Sequence, residues 1–245
     1  MIRSRQDCGQ SQHVGILGRC IVAAEFHRRF LMLQGPHGPF FNRLGRMLRH
    51  AGCDTWRVGF NAGDQTFWRH KPSFIPFTGA IDDWPATCEG IMDQKGITDV
   101  VLYGDTRPVH AQAVKIAKDR GLRVHVFEEG YLRPFWVTYE RDGSNGNSQL
   151  MDTSVTDMTD ALQRSNLDVP ASPAHWGDMY SHVLYGFSYH LMILLGNRKY
   201  RAMQSHRDVP VAQEFWTSFQ RILLSPFINL SRKLKTTLIT RFRAG

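Results

Sequence analysis

Residues 99–130 read DVVLYGDTRPVHAQAVKIAKDRGLRVHVFEEG, and this stretch decides the fold. Two short apolar runs, DVVLY and RVHVF, flank a segment over 108–120 whose apolar residues recur at helical spacing. Gly121 ends that predicted helix. A strand, a helix and a second strand in this order predict a parallel β-α-β unit.

The same alternation of apolar runs and helical spacing precedes this unit along the chain. It predicts strands at 29–34, 55–60 and 74–77, helices at 40–51 and 81–95, a polar loop at 61–73 and a further strand at 136–140. This order favours an α/β fold with a parallel, doubly wound sheet. Polar residues that follow parallel strands meet at one edge of the sheet. We therefore expect Gln34, Asp105 and Glu129 to lie along the same edge.

The predicted organisation of the chain has four parts. Residues 1–28 are read as a flexible arm and residues 29–150 as a Rossmann-like α/β domain. A Pro-containing linker over 151–173 separates that domain from a helical segment over 174–245. No segment is long and apolar enough to predict a membrane-spanning helix.

The charge of the 245-residue chain is concentrated at one end. The net charge is +8, yet residues 1–195 sum to zero, and residues 196–245 hold ten basic and two acidic side chains. A neutral body without a recognisable motif argues against a nucleic-acid-binding protein. None of the four cysteines forms a CxxC pair, which disfavours a zinc site, and we expect neither a metal nor a cofactor.

Three polar clusters follow predicted strands. Gln34-Gly35 opens a Gly/Pro-rich loop that matches neither GxGxxG nor a Walker A sequence. Asp105 and Arg107 precede the helix that carries His110, and a cation with an imidazole at a helix start is a plausible anion site. The second cluster also has a purely structural explanation: Asp105 would cap the helix, and His110 would be an ordinary surface or packed histidine. A fourth candidate loop, Asn61-Ala62-Gly63-Asp64, is explained by turn chemistry alone.

Glu128 and Glu129 form the third cluster. Strand side chains alternate, so only one of these carboxylates can face a given side of the sheet. One can serve as a general base while the other binds an arginine or a backbone N–H. A solvated turn is the competing explanation. Tyr131 and Arg133 follow directly and place a phenol and a cation beside the carboxylates, as a sugar or phosphate site requires.

Three segments resemble the capsule polysaccharide biosynthesis/export family of the KpsS/LipB type. They are FLMLQGPHGPFFNRLGRMLRHAGCDTWRVGFN at 30–61, LYGDTRPVH at 102–110 and VFEEGYLRPFWVTYERDGSNGNS at 126–148. The resemblance implies a modified GT-B architecture with two Rossmann-like halves. It also implies β-Kdo transfer from CMP-Kdo to a phosphatidylglycerol-type lipid, by a protein peripheral to the cytoplasmic face of the inner membrane that works with capsule assembly and export machinery.

The resemblance also assigns roles to residues. Glu129 corresponds to the acidic second position of a Glu-Asp-Gly-Phe/Tyr motif in related enzymes and would be the general base. The residues implied to bind or orient substrates are Gln34, Gly35, Asp105, Arg107, His110, Glu128 and Arg133. A nucleotide-binding second half with a His-Pro motif is expected in the family. This chain stops at Gly245 without a His-Pro dipeptide, so we expect little transfer from it alone.

Two alternatives remain open from the sequence. The first is that the chain serves as a non-catalytic export or assembly partner at the membrane. The basic segment 221–243 has an apolar stripe and would either lie on an anionic membrane or pack on a second half. Charge reversal of Lys233 and Lys235 would separate those two readings.

Overall fold

The computed structural model describes residues 27–130, 137–165 and 179–203, together with separate residues between 212 and 224. The strands are β1 (Arg29–Met32), β2 (Asp54–Gly59), β3 (Phe74–Pro76), β4 (Asp99–Tyr103), β5 (Arg123–Glu129) and β6 (Val137–Arg141). The helices are α1 (Phe40–His50), α2 (Ala62–Thr66), α3 (Trp84–Lys95), α4 (Pro108–Asp119), α5 (Val155–Arg164) and α6 (Met179–Gly196). Most of the predicted arm 1–28 and of the basic segment 221–243 lies outside the described residues.

The six strands form one sheet in the order β3-β2-β1-β4-β5-β6. The first five pair in parallel, which confirms the predicted α/β class, and the strand order is that of a Rossmann-like sheet. The order reverses between β1 and β4, so the loops after these strands leave towards opposite faces and open a crevice. The expectation of a wholly parallel domain is wrong at β6, which pairs antiparallel with β5. Residues 130–136 are too few for the crossover that a parallel pair needs.

Alternating side chains give the sheet two buried faces. Leu31, Val100 and Val124 belong to the larger core, together with Trp84 of α3 and Ala113 of α4. The other face buries its side chains beneath α1. That smaller core consists of Phe30, Met32, Phe41, Trp68 and Val101. Helices therefore cover both faces, as a doubly wound sheet requires.

Two segments that were predicted without regular structure contain helices. In the predicted loop 61–73, Asn61 caps α2 by accepting a hydrogen bond from the Asp64 backbone N–H at 2.8 Å. In the predicted linker 151–173, Ser154 caps α5 in the same way through the Asp157 N–H at 3.1 Å. Capping explains both starts, and neither helix has a run of core-facing residues that sequence periodicity would detect. None of the helices in the described part of the chain is long and apolar enough to cross a bilayer.

The start of β4 is tied to its neighbours by a buried carboxylate. Asp99 is fully buried. It is hydrogen-bonded to Arg28, which lies just before β1, to His125 of β5 at 2.8 Å and to Thr98 Oγ1 at 2.6 Å. His125 Nδ1 in turn lies 2.7 Å from the Tyr139 hydroxyl of β6. One carboxylate therefore links β4, β5 and β6 at the amino edge of the sheet.

Asp99 makes the stability of the fold sensitive to acid. Burial alone would raise the pKa of Asp99, but the hydrogen bonds from His125, Arg28 and Thr98 outweigh it and hold the pKa well below its ordinary value. A lowered pKa stabilises the fold above the unfolded-state pKa of about 3.9, and this contribution is lost as the pH falls. We expect the free energy of unfolding to decline below about pH 4. Urea titrations at a series of pH values measure this decline. The Asp99→Asn variant should show a shallower decline, and the same dependence of unfolding free energy on pH in both proteins would show that Asp99 is not the acid-sensitive group.

Candidate functional site

The ends of three parallel strands meet at the crevice edge of the sheet. Gln34 follows β1, Asp105 follows β4, and Glu129 is the last residue of β5. The backbone N–H of Leu33 donates to Val101 O at 2.9 Å, and that of Gly104 donates to Phe127 O at 2.8 Å, so the three strand ends stay in register. The structure thus places Gln34, Asp105 and Glu129 along one edge, as predicted.

Gln34 and Arg107 join the two loops on either side of the crevice. Gln34 is buried, and its Oε1 accepts a hydrogen bond from Arg107 Nη1 at 3.2 Å. Its Nε2 donates to the Tyr189 hydroxyl at 3.2 Å and lies 3.5 Å from Asp64 Oδ2. The buried carboxylate of Asp64 fixes the orientation of the amide, because only the NH₂ end can donate to it. The oxygen end therefore points towards Arg107 and holds that guanidinium in the crevice.

Glycines at the crevice make room for protein side chains. A Cβ on Gly35 would lie 2.6 Å from the ring of Phe41, so only glycine lets α1 pack this close to the loop. Gly104 has a φ of +69°, and a Cβ there would lie 3.5 Å from Glu128 Oε2. Gly35 was predicted to line a substrate site, and that role stays a prediction.

Asp105 holds a neighbouring loop in place. It is buried, and its Oδ2 accepts hydrogen bonds from the Ser144 backbone N–H and from Asn147 Nδ2, both at 3.0 Å. It does not cap α4, because Arg107 occupies the N-cap position and makes no side-chain capping bond. The geometry gives Asp105 a structural task and leaves its predicted substrate contact untested.

His110 lies beneath the same loop. It is fully buried, and its Nδ1 lies 2.6 Å from the carbonyl oxygen of Gly104. The packed-histidine alternative describes this placement well, since the ring anchors the turn that presents Arg107. Its predicted role in substrate binding stays a prediction.

Glu128 and Glu129 lie on opposite faces of β5, which extends two residues beyond the predicted strand. Glu128 is half-buried, and its Oε2 accepts a hydrogen bond from Asn145 Nδ2 at 3.3 Å. Glu129 is exposed at the crevice end of the strand and pairs across the sheet with Val137. An accessible carboxylate at this position can accept a proton from a bound hydroxyl. Arg133, the remaining predicted site residue, lies outside the described residues.

A buried polar network beside Gln34 was not predicted as part of the site. Asp64 is fully buried, and its Oδ1 lies 3.0 Å from Arg57 Nη2, whose side chain is itself 1% exposed. Its Oδ2 accepts from the Phe60 backbone N–H at 3.1 Å. The Tyr189 hydroxyl of α6 lies 3.2 Å from Asp64 Oδ1 and 2.8 Å from Asn61 Nδ2. α6 therefore completes the polar floor of the crevice.

The sequence carried only a weak signal for this network. Asn61-Ala-Gly-Asp64 stood out as a loop after a strand, which turn chemistry explained. Tyr189 lies in an apolar run whose polar members, including His190, give no spatial information. Among the residues that the structure describes, no three His, Cys, Asp or Glu side chains are grouped so that they could hold a metal ion.

Comparison with known proteins identifies similar sequences. The sequence model of the family described as capsule polysaccharide biosynthesis protein matches residues 98–231, more than half of the chain. This region contains Asp105, Arg107, His110, Glu128 and Glu129.

Two curated relatives match about half of the chain. The capsule polysaccharide export protein KpsS of Escherichia coli is 36% identical over 133 residues, which cover 54% of this chain and 34% of KpsS. The capsule polysaccharide modification protein LipB of Neisseria meningitidis serogroup A is 39% identical over 127 residues, which cover 51% of this chain and 30% of LipB. The matched region spans about a third of the length of these relatives.

A comparison of structures finds the Bordetella bronchiseptica enzyme WbmH, crystallised in complex with NAD+. The TM-score is 0.31 at 15% sequence identity, over 40% of this chain and 36% of WbmH.

Proposed function

Because the chain belongs to the capsule polysaccharide biosynthesis protein family, we propose that its α/β domain is the acceptor-binding half of a glycosyltransferase. The donor is CMP-Kdo, the acceptor is a phosphatidylglycerol-type lipid, and the product is a lipid-linked Kdo that enters capsule assembly and export. The protein would work at the cytoplasmic face of the inner membrane. The proposed enzyme has a GT-B architecture, in which a second half binds the nucleotide of the donor.

The observation that carries the proposal is that a cation and an accessible carboxylate lie at the same crevice edge. Arg107 is held by Gln34 at the crevice between β1 and β4, immediately before α4. Glu129 is the last residue of β5, which ends at the same edge of the sheet. The guanidinium of Arg107 suits the phosphodiester of the acceptor, and the carboxylate of Glu129 suits the acceptor hydroxyl.

The proposed reaction uses these residues in separate tasks. Glu129 accepts the proton of the acceptor hydroxyl while the oxygen of that hydroxyl bonds to the anomeric carbon of Kdo. The bond between that carbon and the phosphate of CMP breaks, and CMP leaves with the electron pair. Arg107 holds the acceptor phosphate, which keeps the reacting oxygen in position. Glu128 and Asn145 orient the surrounding loop.

Calorimetric titration of the chain with short-chain phosphatidylglycerol and with CMP-Kdo tests the proposal. We expect the lipid to bind, and Arg107→Met to weaken it at least about tenfold, because a hydrogen bond to a charged group contributes about 1.5–3 kcal/mol. Arg123→Met is the matched control, since Arg123 is exposed at the opposite end of β5.

Equal affinity in the wild type and the Arg107 variant would contradict the proposed acceptor site. Mass spectrometry then asks whether Kdo is transferred in a full-length protein that carries this domain. Lipid binding without transfer in that protein would instead support the non-catalytic assembly role.

A further inference from the structure

Exposed cations form one continuous surface around α1. They come from three places in the sequence: the outer side of α1, the turn after α2 and the turn after α6. This basic surface consists of Arg43, Arg46, Arg69, Lys71, Arg198 and Lys199, all exposed.

Hydrogen bonds between neighbouring residues hold the three parts together. The Arg69 backbone N–H donates to Asn42 Oδ1 of α1 at 2.9 Å. Lys71 Nζ donates to the Gln65 carbonyl at 2.5 Å, and the Gln65 side chain accepts from the Tyr200 hydroxyl at 3.1 Å. These bonds therefore place the three segments that carry the cations next to one another.

Acidic side chains do not compensate this charge. Residues 36–80 contain six Lys and Arg but only two Asp. Asp64 is buried against Arg57, and Asp54 faces His27 and Arg29. Among the described residues, no ion pair involves a member of the basic surface.

The arrangement of α1 and Lys71 carries a cost in self-repulsion. Arg43, Arg46 and Arg49 lie three residues apart on α1, and like charges at this spacing destabilise a helix. Loss of solvation around the Lys71 ammonium, together with the nearby charges of Arg57 and Lys199, lowers the pKa of Lys71. An anionic partner would relieve this repulsion.

Apolar side chains project among these cations. Met47 is 66% exposed between Arg46 and Arg49, and Leu195 at the end of α6 is 73% exposed, close in sequence to Arg198. Basic residues interspersed with exposed aliphatic side chains are typical of proteins that lie on a bilayer, where the apolar groups enter the headgroup region. Nucleic-acid surfaces instead pair cations with polar or stacking side chains.

We propose that the basic surface is the contact of this protein with an anionic phospholipid bilayer. The inference goes beyond the proposed reaction and stands without it, because it rests on charge and exposure outside the crevice. α1 starts just after the Gln34–Pro39 loop, so a bilayer on this surface lies next to the crevice.

Vesicle cosedimentation tests the proposal with the complete chain. Vesicles contain phosphatidylcholine with or without 30% phosphatidylglycerol, at about 0.1 M salt. We expect binding only to the anionic vesicles. The double variant Arg43→Glu, Arg46→Glu should weaken it about thirtyfold or more, since each basic residue near such a surface changes binding roughly fivefold.

The matched control reverses the same charge on the other face of the sheet. Lys115 and Lys118 are exposed on α4, and Lys115→Glu, Lys118→Glu should leave vesicle binding within about twofold. Circular dichroism confirms that all variants fold. The basic surface lies outside the acceptor crevice, so failure of the crevice titration would not affect this prediction.

Four results would overturn the proposal. They are absence of binding to anionic vesicles, equal loss in both charge-reversed pairs, complete loss on reversal of Lys233 and Lys235 alone, and displacement from vesicles by an equal charge of RNA. The third would assign the contact to the basic segment 221–243, and the fourth would assign the surface to nucleic acid.

Discussion

Replacement of Glu129 by Gln is expected to lower Kdo transfer by about 10²- to 10⁴-fold, the usual effect of removing a general base. Glutamine keeps the size and polarity of the side chain but cannot take up the proton of the acceptor hydroxyl. Glu129 is exposed at the end of β5, so the fold should survive the substitution. The affinity for phosphatidylglycerol should therefore stay close to that of the wild type.

The measurement is single-turnover product formation by mass spectrometry, in a full-length protein that carries this domain. Glu89→Gln is the matched control, because Glu89 lies on α3 and its partner is Arg120 at 3.3 Å. Near-normal transfer by a well-folded Glu129 variant would remove the residue from the proposed mechanism.

Asp64→Ala is expected to destabilise the domain by about 3–5 kcal/mol, as breaking a buried ion pair does when one charge is left behind. The guanidinium of Arg57 lies between Phe41 and Trp68, with its centre 5.8 and 6.0 Å from their rings. It would stay in this apolar setting without its carboxylate. The Phe60 N–H and the Tyr189 hydroxyl would lose an acceptor as well.

Urea denaturation measures this loss, with Asp82→Ala as a control at an exposed aspartate. The double variant Arg57→Met, Asp64→Leu removes both charges and should recover part of the stability, since an apolar pair avoids the desolvation cost. A loss below about 1 kcal/mol in Asp64→Ala would show that the pair is not tightly coupled to the fold.

The predicted strands and long helices were confirmed because they depend on local patterns. The apolar runs before Gln34, Gly104 and Glu128 are strands in the structure, and α4 ends at Asp119, close to the predicted Arg120. The parallel order follows from the alternation of strands and helices, which a sequence displays directly.

The polar floor of the crevice could not be predicted in the same way. Its hydrogen bonds join residues that are far apart in sequence, and α2 is a five-residue helix that depends on the Asn61 cap rather than on periodicity. β6 was predicted as a strand, but its antiparallel direction depends on how the chain turns after Gly130. Such features depend on tertiary contacts, which propensity and spacing do not encode.

The bond from Gln34 to Tyr189 has a consequence for synthesis of the chain. The two residues are 155 positions apart, so translation at about 5–20 residues per second separates their emergence by roughly eight to thirty seconds. For most of that interval β1, β2 and α2 are outside the ribosome, while the face of α2 that receives Tyr189 is uncovered. A nascent chain thus exposes Gly63 and Asp64 to chaperones and proteases until α6 has been synthesised and packs on α2.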